Sequence, residues 1–166
     1  MIEAGRNFFV ERKSWVEINI EKKIYIMKKR ENAVIPTRGT KGSAGLDLYA
    51  AIENSMDINP GDLVKIPTGI AISLRDESLV CLVFARSGLG VNHGITLSNG
   101  VGIIDSDYRG EIFVGLCNVS KKAYTINPGD RIAQMIVMPI CNFTLMQVDN
   151  LDKTERDSSG FGSTGK

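Results

Sequence analysis

The stretch Ile58-Asn59-Pro60-Gly61-Asp62-Leu63-Val64-Lys65-Ile66-Pro67-Thr68-Gly69-Ile70-Ala71-Ile72-Ser73-Leu74 decides the fold class. Proline fixes φ for the first corner of a turn, and the glycine after it accepts the positive φ of the second. Pro60-Gly61 therefore predicts a type II turn that launches the apolar run at residues 63–66. Pro67 and Gly69 interrupt that run, and a second one follows at 69–74. Neither run is long enough for a helix, and both are rich in β-branched residues, so each reads as a short strand. The turn recurs as Ile126-Asn127-Pro128-Gly129-Asp130.

Outward from there the same punctuation continues. Seventeen glycines and five prolines separate further short runs at residues 23–27, 79–84, 112–116, 131–138 and 143–148. No segment keeps an apolar period of 3.6 over twelve residues. The expectation is an all-β sandwich or barrel built from tight hairpins, with one helical turn at 75–79.

The 166 residues fit one domain with a modest tail. With 43% hydrophobic and 23% charged residues the composition is that of an ordinary soluble globular protein. A formal net charge of +1 gives no global case for nucleic-acid binding. There is no bilayer-length apolar run and no signal-peptide pattern, so the expected address is cytoplasmic, without a membrane partner. Cys81, Cys117 and Cys141 are far apart, and His93 stands alone. Zinc sites and redox motifs need close pairs, so the cysteines read as buried, reduced strand residues, and any metal must rest largely on substrate or water.

The two ends differ from the middle. Residues 1–30 hold eight basic and four acidic side chains, a local net of +4. This reads as a solvated face or an interaction arm. Residues 152–166, DKTERDSSGFGSTGK, have the composition of a disordered tail, with Phe161 as its odd member.

Three segments can carry chemistry. In residues 98–111 two carboxylates, Asp105 and Asp107, and the aromatic Tyr108 follow an apolar run in a glycine-flanked loop. A carboxylate there can take a proton from water; the alternative is a hairpin with aspartates in turn positions. Arg86-Ser87-Gly88-Leu89-Gly90 offers a guanidinium, a hydroxyl and accessible backbone N–H groups, which suits a phosphate or is simply a turn. Gly160-Phe161-Gly162-Ser163-Thr164-Gly165 offers hydroxyls for phosphates and a ring to stack on a base.

Taken together, five segments in fixed order resemble the dUTPase family over roughly residues 24–166. They are Gly42-Ser43-Ala44-Gly45-Leu46-Asp47-Leu48; Arg86-Ser87-Gly88-Leu89-Gly90; Gly102-Ile103-Ile104-Asp105-Ser106-Asp107-Tyr108-Arg109-Gly110; Pro128-Gly129-Asp130-Arg131-Ile132-Ala133-Gln134-Met135; and the run from 156 to 165. The resemblance implies a jelly-roll-like β-clip fold that assembles as a homotrimer with an exchanged C-terminal arm. The implied organisation is an extension of unknown role at 1–23, a β core at 24–150, and an arm at 151–166 that closes over a neighbour's site. The implied activity is hydrolysis of dUTP to dUMP and pyrophosphate, which lowers dUTP and supplies dUMP for thymidylate synthesis.

By position, Asp105 would activate the water that attacks the α-phosphorus. Asn99 and main-chain groups near Ile103 and Ile104 would read uracil, and Tyr108 would stack under the deoxyribose. Arg86, Ser87 and Gly88 would hold phosphates with Gln134 beside them. Asp47 would act from behind, through a water on the metal. From the arm, Phe161 would cap uracil while Arg156, Ser163 and Thr164 close on the phosphates. The implied cofactor is Mg2+, carried mainly by triphosphate oxygens and water.

The chain departs from the family pattern at Ala85, where many members have proline, and at Asp157 and Ser159, where glycine is common. A related family, dCTP deaminase, carries a catalytic glutamate seven residues after the aromatic of the third segment; here that position is Gly115. A non-catalytic, partner-binding relative would be expected to lack Asp105, Tyr108 or the arm, and all are present.

Overall fold

The computed structural model of the chain describes residues 23–155, 157 and 158. Eleven strands and one short helix follow in order: β1 Tyr25–Lys28, β2 Leu46–Tyr49, β3 Met56–Ile58, β4 Leu63–Pro67, β5 Ile70–Ser73, β6 Leu79–Phe84, α1 Ser87–His93, β7 Ile95–Leu97, β8 Gly102–Ile104, β9 Phe113–Asn118, β10 Tyr124–Ile126 and β11 Arg131–Pro139. The all-β expectation therefore holds. No helix among the described residues is long and apolar enough to cross a membrane.

Both Pro-Gly corners form as the sequence dictates. Gly61 and Gly129 take φ of 86° and 80°. In each, the turn closes by a backbone bond, Asp62 N to Asn59 O at 3.0 Å and Asp130 N to Asn127 O at 3.1 Å. Each aspartate also accepts from the backbone N–H of its asparagine at 2.8 Å. The echoed segments meet in space, because β3 and β10, which lead into the two turns, pair antiparallel with Ile58 opposite Tyr124.

The strands form a four-stranded sheet, β2-β11-β6-β8, a three-stranded sheet, β4-β9-β7, and two two-stranded ribbons, β1-β5 and β3-β10. Strand β9 shows the half-buried alternation of a sheet with one wet face. Val114, Leu116 and Asn118 point inward, while Phe113, Gly115 and Cys117 point out. The core gathers Leu48, Ile58, Ile66, Ile70, Ile95, Ile112, Ile132 and Met135 from both larger sheets and the ribbons. Asn118 is buried but satisfied: it donates to Ile58 O and Lys122 O and accepts from Ser120. Gly69 is required where it stands, since at φ 69° a Cβ would lie 2.5 Å from that of Ala33.

Four expectations need correction. Cys81 and Cys117 lie in strands, but Cys141 follows β11 and is exposed, and Cys117 is only half-buried. Residues 75–79 form no helical turn. Arg75 has φ of 52°, and Ser78 donates to the Asp76 carboxylate from its backbone N–H at 2.9 Å, so the side chain closes an Asx turn that competes with helix. The helix that does form, α1, lies over the Ser87-Gly88 run, whose two glycines hide any helical period. The run at 143–148 joins no strand. After β11 the chain leaves its own core, with Phe143, Leu145 and Leu151 between 79% and 86% exposed.

Candidate active site

The third segment begins on β8, at the edge of the four-stranded sheet. Ile104 lies opposite Cys81, Ile103 opposite Leu82, and Gly102 opposite Val83. Asn99 sits in the turn between β7 and β8, where Gly100 takes φ of 73°. Its side-chain nitrogen is 3.9 Å from where a Cβ on Gly102 would be, so the Asn99 amide lies beside the start of β8. Ile103 points outward and is 66% exposed.

Asp105 follows the last residue of β8 and opens the next turn, in which Tyr108 N donates to Asp105 O at 3.2 Å. Among the described residues the Asp105 carboxylate forms no ion pair or hydrogen bond, and it is exposed. Tyr108 is oriented by its hydroxyl, which donates to Glu111 O at 3.0 Å. A Cβ on Gly110 would run into the Tyr108 ring. Glu111 in turn is fixed by the Gly69 N–H at 2.9 Å and by Arg30 Nε at 2.6 Å. The result is a cavity of about 240 Å³ whose walls include Asp105, Tyr108, Ile103, Ile104, Lys65 and Phe113. A second, of about 400 Å³, opens at Asn99 and Ser98, and shares Lys65 and Phe113.

The remaining polar residues gather elsewhere. On β11, Gln134 stands opposite Asp47 of β2 on one side and Phe84 of β6 on the other. Gln134 Nε2 donates to Ala85 O at 3.1 Å, which anchors the chain just before Arg86. Asp47 takes Arg86 Nε at 3.1 Å on one oxygen and Arg131 Nη1 at 3.2 Å on the other. Arg86 Nη1 also donates to Arg131 O at 2.9 Å. The guanidinium is thus aimed by two strands, β2 and β11. Ser87 and Gly88 open α1 and are exposed, and their N–H groups belong to the first turn, which has no intrahelical acceptors.

The two groups do not meet within one chain. Asp105 extends β8 past Cys81 toward the start of β6, while Arg86 follows its end. Six residues of strand separate their positions, roughly 20 Å at the usual rise. Arg156, Phe161, Ser163 and Thr164 lie outside the described residues.

Lys65, Phe113, Glu111 and Arg131 were not singled out from sequence. Arg131 lies inside the fourth segment, beside the residues chosen. Lys65 carried no signal at all, because β4 reaches the cavity only through its ladder with β9.

Among the described residues no three His, Cys, Asp or Glu side chains cluster as metal ligands, and both Asp47 oxygens are committed to arginine. That donor chemistry fits a hard cation held by phosphate oxygens and water rather than by a protein cage.

A family model described as dUTPase matches residues 31–165. The deoxyuridine 5'-triphosphate nucleotidohydrolase of Nitrosospira multiformis is 50% identical over 143 residues, covering 86% of this chain and 96% of that protein. The protein of the same description from Xylella fastidiosa is 52% identical over 131 residues, covering 79% of this chain and 84% of its own. Among solved structures, the Staphylococcus bacteriophage 80alpha dUTPase with dUPNHPP superposes with a TM-score of 0.78 at 27% identity, covering 87% of this chain and 99% of that one. A mutant dUTPase from phage phi11 of S. aureus, described as showing the coordination of a structural Mg(II) ion, gives a TM-score of 0.71 at 25% identity over 79% and 99% of the two chains. With the fold, the five ordered segments and a family match over most of its length, the chain belongs to the dUTPase family.

Proposed function

We propose that this dUTP diphosphatase works as a homotrimer in which Asp105 of one subunit faces Arg86 of another. The observation that carries this is the placement of the two residues at opposite ends of β6, with each group otherwise complete. A second copy that sets its Arg86 end against the first copy's Asp105 cavity closes the gap. The exposed apolar residues after β11, which find no place on their own core, support an exchange of that segment between copies. The arm at 151–166 then closes over the site of a third subunit, bringing Arg156, Phe161, Ser163 and Thr164, and residues 24–150 form the catalytic core. Residues 1–23 are outside this reading.

In the assembled site the Asp105 carboxylate accepts a proton from water. The oxygen so activated forms a bond to the α-phosphorus as the bond to the bridging oxygen breaks, and pyrophosphate leaves. Arg86, aimed by Asp47 and joined by Ser87, Gly88 and Gln134, holds the phosphate chain and meets the charge that develops on the leaving group. Asn99 and the backbone at Ile103 and Ile104 read uracil, and Tyr108, pinned by Glu111, packs against the deoxyribose. Mg2+, when bound on the triphosphate oxygens, supplies neutralisation of phosphate charge. The net reaction removes dUTP and yields dUMP.

Gly115 argues against the deaminase reading on chemical grounds, because the position has no carboxylate to act as acid or base. Pyrophosphate release measured with dUTP, dCTP, dTTP, UTP and the purine deoxynucleotides tests the proposal. Turnover of dUTP far above the others is expected. Ammonia release from dCTP, or equal turnover of all, would overturn it.

A further inference from the structure

Lys65 and Phe113 are the two side chains common to the cavity at Asp105 and the cavity at Asn99. Across the β4–β9 ladder Lys65 stands opposite Gly115, and Phe113 is two residues along on the same outward face. Gly115 has no side chain to block the way, so the lysine stem crosses the ladder diagonally. Its ammonium lies 4.1 Å from the centre of the Phe113 ring. A cation held on an aromatic face is kept in place instead of sweeping through solvent. The charge therefore sits at the junction of the two cavities, beside the turn that carries Asn99.

We infer that Lys65 is a specificity-determining residue, whose ammonium donates a hydrogen bond to the 4-keto oxygen of the pyrimidine and so favours uracil over cytosine. This rests on the reading of the site as one for dUTP. Lysine is a donor only. Uracil presents an acceptor at C4, whereas cytosine presents an amino group, so a donor would face a donor and the ammonium would stay unpaired. Lys65 is exposed in the free chain, and a base that covers its ammonium without accepting from it leaves that donor unsatisfied. A role on the phosphates, which a neighbour's Arg86 would bring to the same Asp105 cavity, would cost both nucleotides alike, and kcat/KM for dUTP and dCTP separates the two.

The test uses the full chain with Lys65→Met, Lys65→Gln and Lys65→Arg. Steady-state kcat/KM is measured for dUTP and dCTP, and affinity for dUMP and dCMP by calorimetry. Lys65→Met and Lys65→Gln should each lower the dUTP over dCTP preference by about tenfold or more, with the loss falling on dUTP and dUMP. Lys65→Arg should keep most of the preference. Equal losses on both nucleotides would make Lys65 a general phosphate cation and overturn the inference, as would an unchanged preference in both Lys65→Met and Lys65→Gln. Circular dichroism and light scattering show whether either neutral variant has lost its fold, and the other then decides. A wild-type chain that hydrolyses neither nucleotide would instead remove the dUTP reading on which the inference stands.

Discussion

Asp105 and Arg86 stand at opposite ends of the same strand, β6, one brought there by the β8 ladder and the other by the strand's own exit. A register fixed on both faces cannot slip to bring them together, because a one-residue shift would turn Cys81 and Val83 out of the core. Two inactive variants should therefore rescue each other. Asp105→Asn and Arg86→Met, each inactive alone, are unfolded together, mixed in equal amounts and refolded. If each site takes Asp105 and Arg86 from different subunits, random assembly leaves roughly a quarter of the sites intact. Activity near that fraction is expected; none above the separate variants would show that one subunit supplies both residues.

Asp105→Asn alone keeps the shape of the carboxylate and removes its basicity. The expected loss in kcat is about 10²–10⁴-fold, the usual worth of a positioned general base. Affinity for a non-hydrolysable dUTP analogue should stay within a few-fold of the unmodified chain. Stopped-flow turnover with calorimetric binding separates the two, and unchanged turnover would remove Asp105 from the chemistry.

Asp47 holds two guanidiniums apart, and its side chain is only 14% exposed. Asp47→Ala leaves Arg86 and Arg131 facing each other without a counter-charge. The expected loss of stability is about 1–2 kcal/mol, discounted because Arg131 is half exposed. Arg86 would no longer be aimed, so KM for dUTP should rise more than kcat falls. Thermal unfolding and steady-state kinetics check both parts; an unchanged KM would leave Asp47 with a purely structural role.

The fold was legible in the sequence wherever a turn and its strand are local. Pro60-Gly61 and Pro128-Gly129 dictate their own geometry, and the runs at 79–84 and 131–138 became central strands. Local signals failed where two chemistries compete for one segment. The glycines of the Ser87 run mask α1, and the Asp76 side chain diverts residues 75–79 from helix to turn. Among the proposed site residues, those within the five segments can be picked out by pattern. Lys65 could not, because its place is set by pairing with Gly115, fifty residues away in sequence.

Deletion of residues 156–166 tests the arm independently of the core. The strands and the apolar run at 143–148 remain, so the oligomer should persist by light scattering. Activity should drop sharply, since the proposed closure loses its aromatic and hydroxyl groups. Full activity would show that the core suffices, and a monomer would show that the arm assembles the protein rather than closing it.

Cys81 gives the chain a pH dependence unrelated to its chemistry. It lies between Ile104 and Val137 in the middle of the four-stranded sheet, fully buried. Burial disfavours the thiolate and pushes the thiol from its ordinary 9.0 up to about 11. The unfolded chain releases this proton near 9 while the folded one keeps it. The thiol's contribution to stability is therefore fully present below pH 9 and is lost as pH rises toward 11, on the order of 2 kcal/mol in all. Cys81→Val preserves volume without an ionisable group, so its melting temperature should fall less than that of the unmodified chain between pH 8.5 and about 11. Parallel curves for the two proteins would show that the alkaline loss does not come from Cys81.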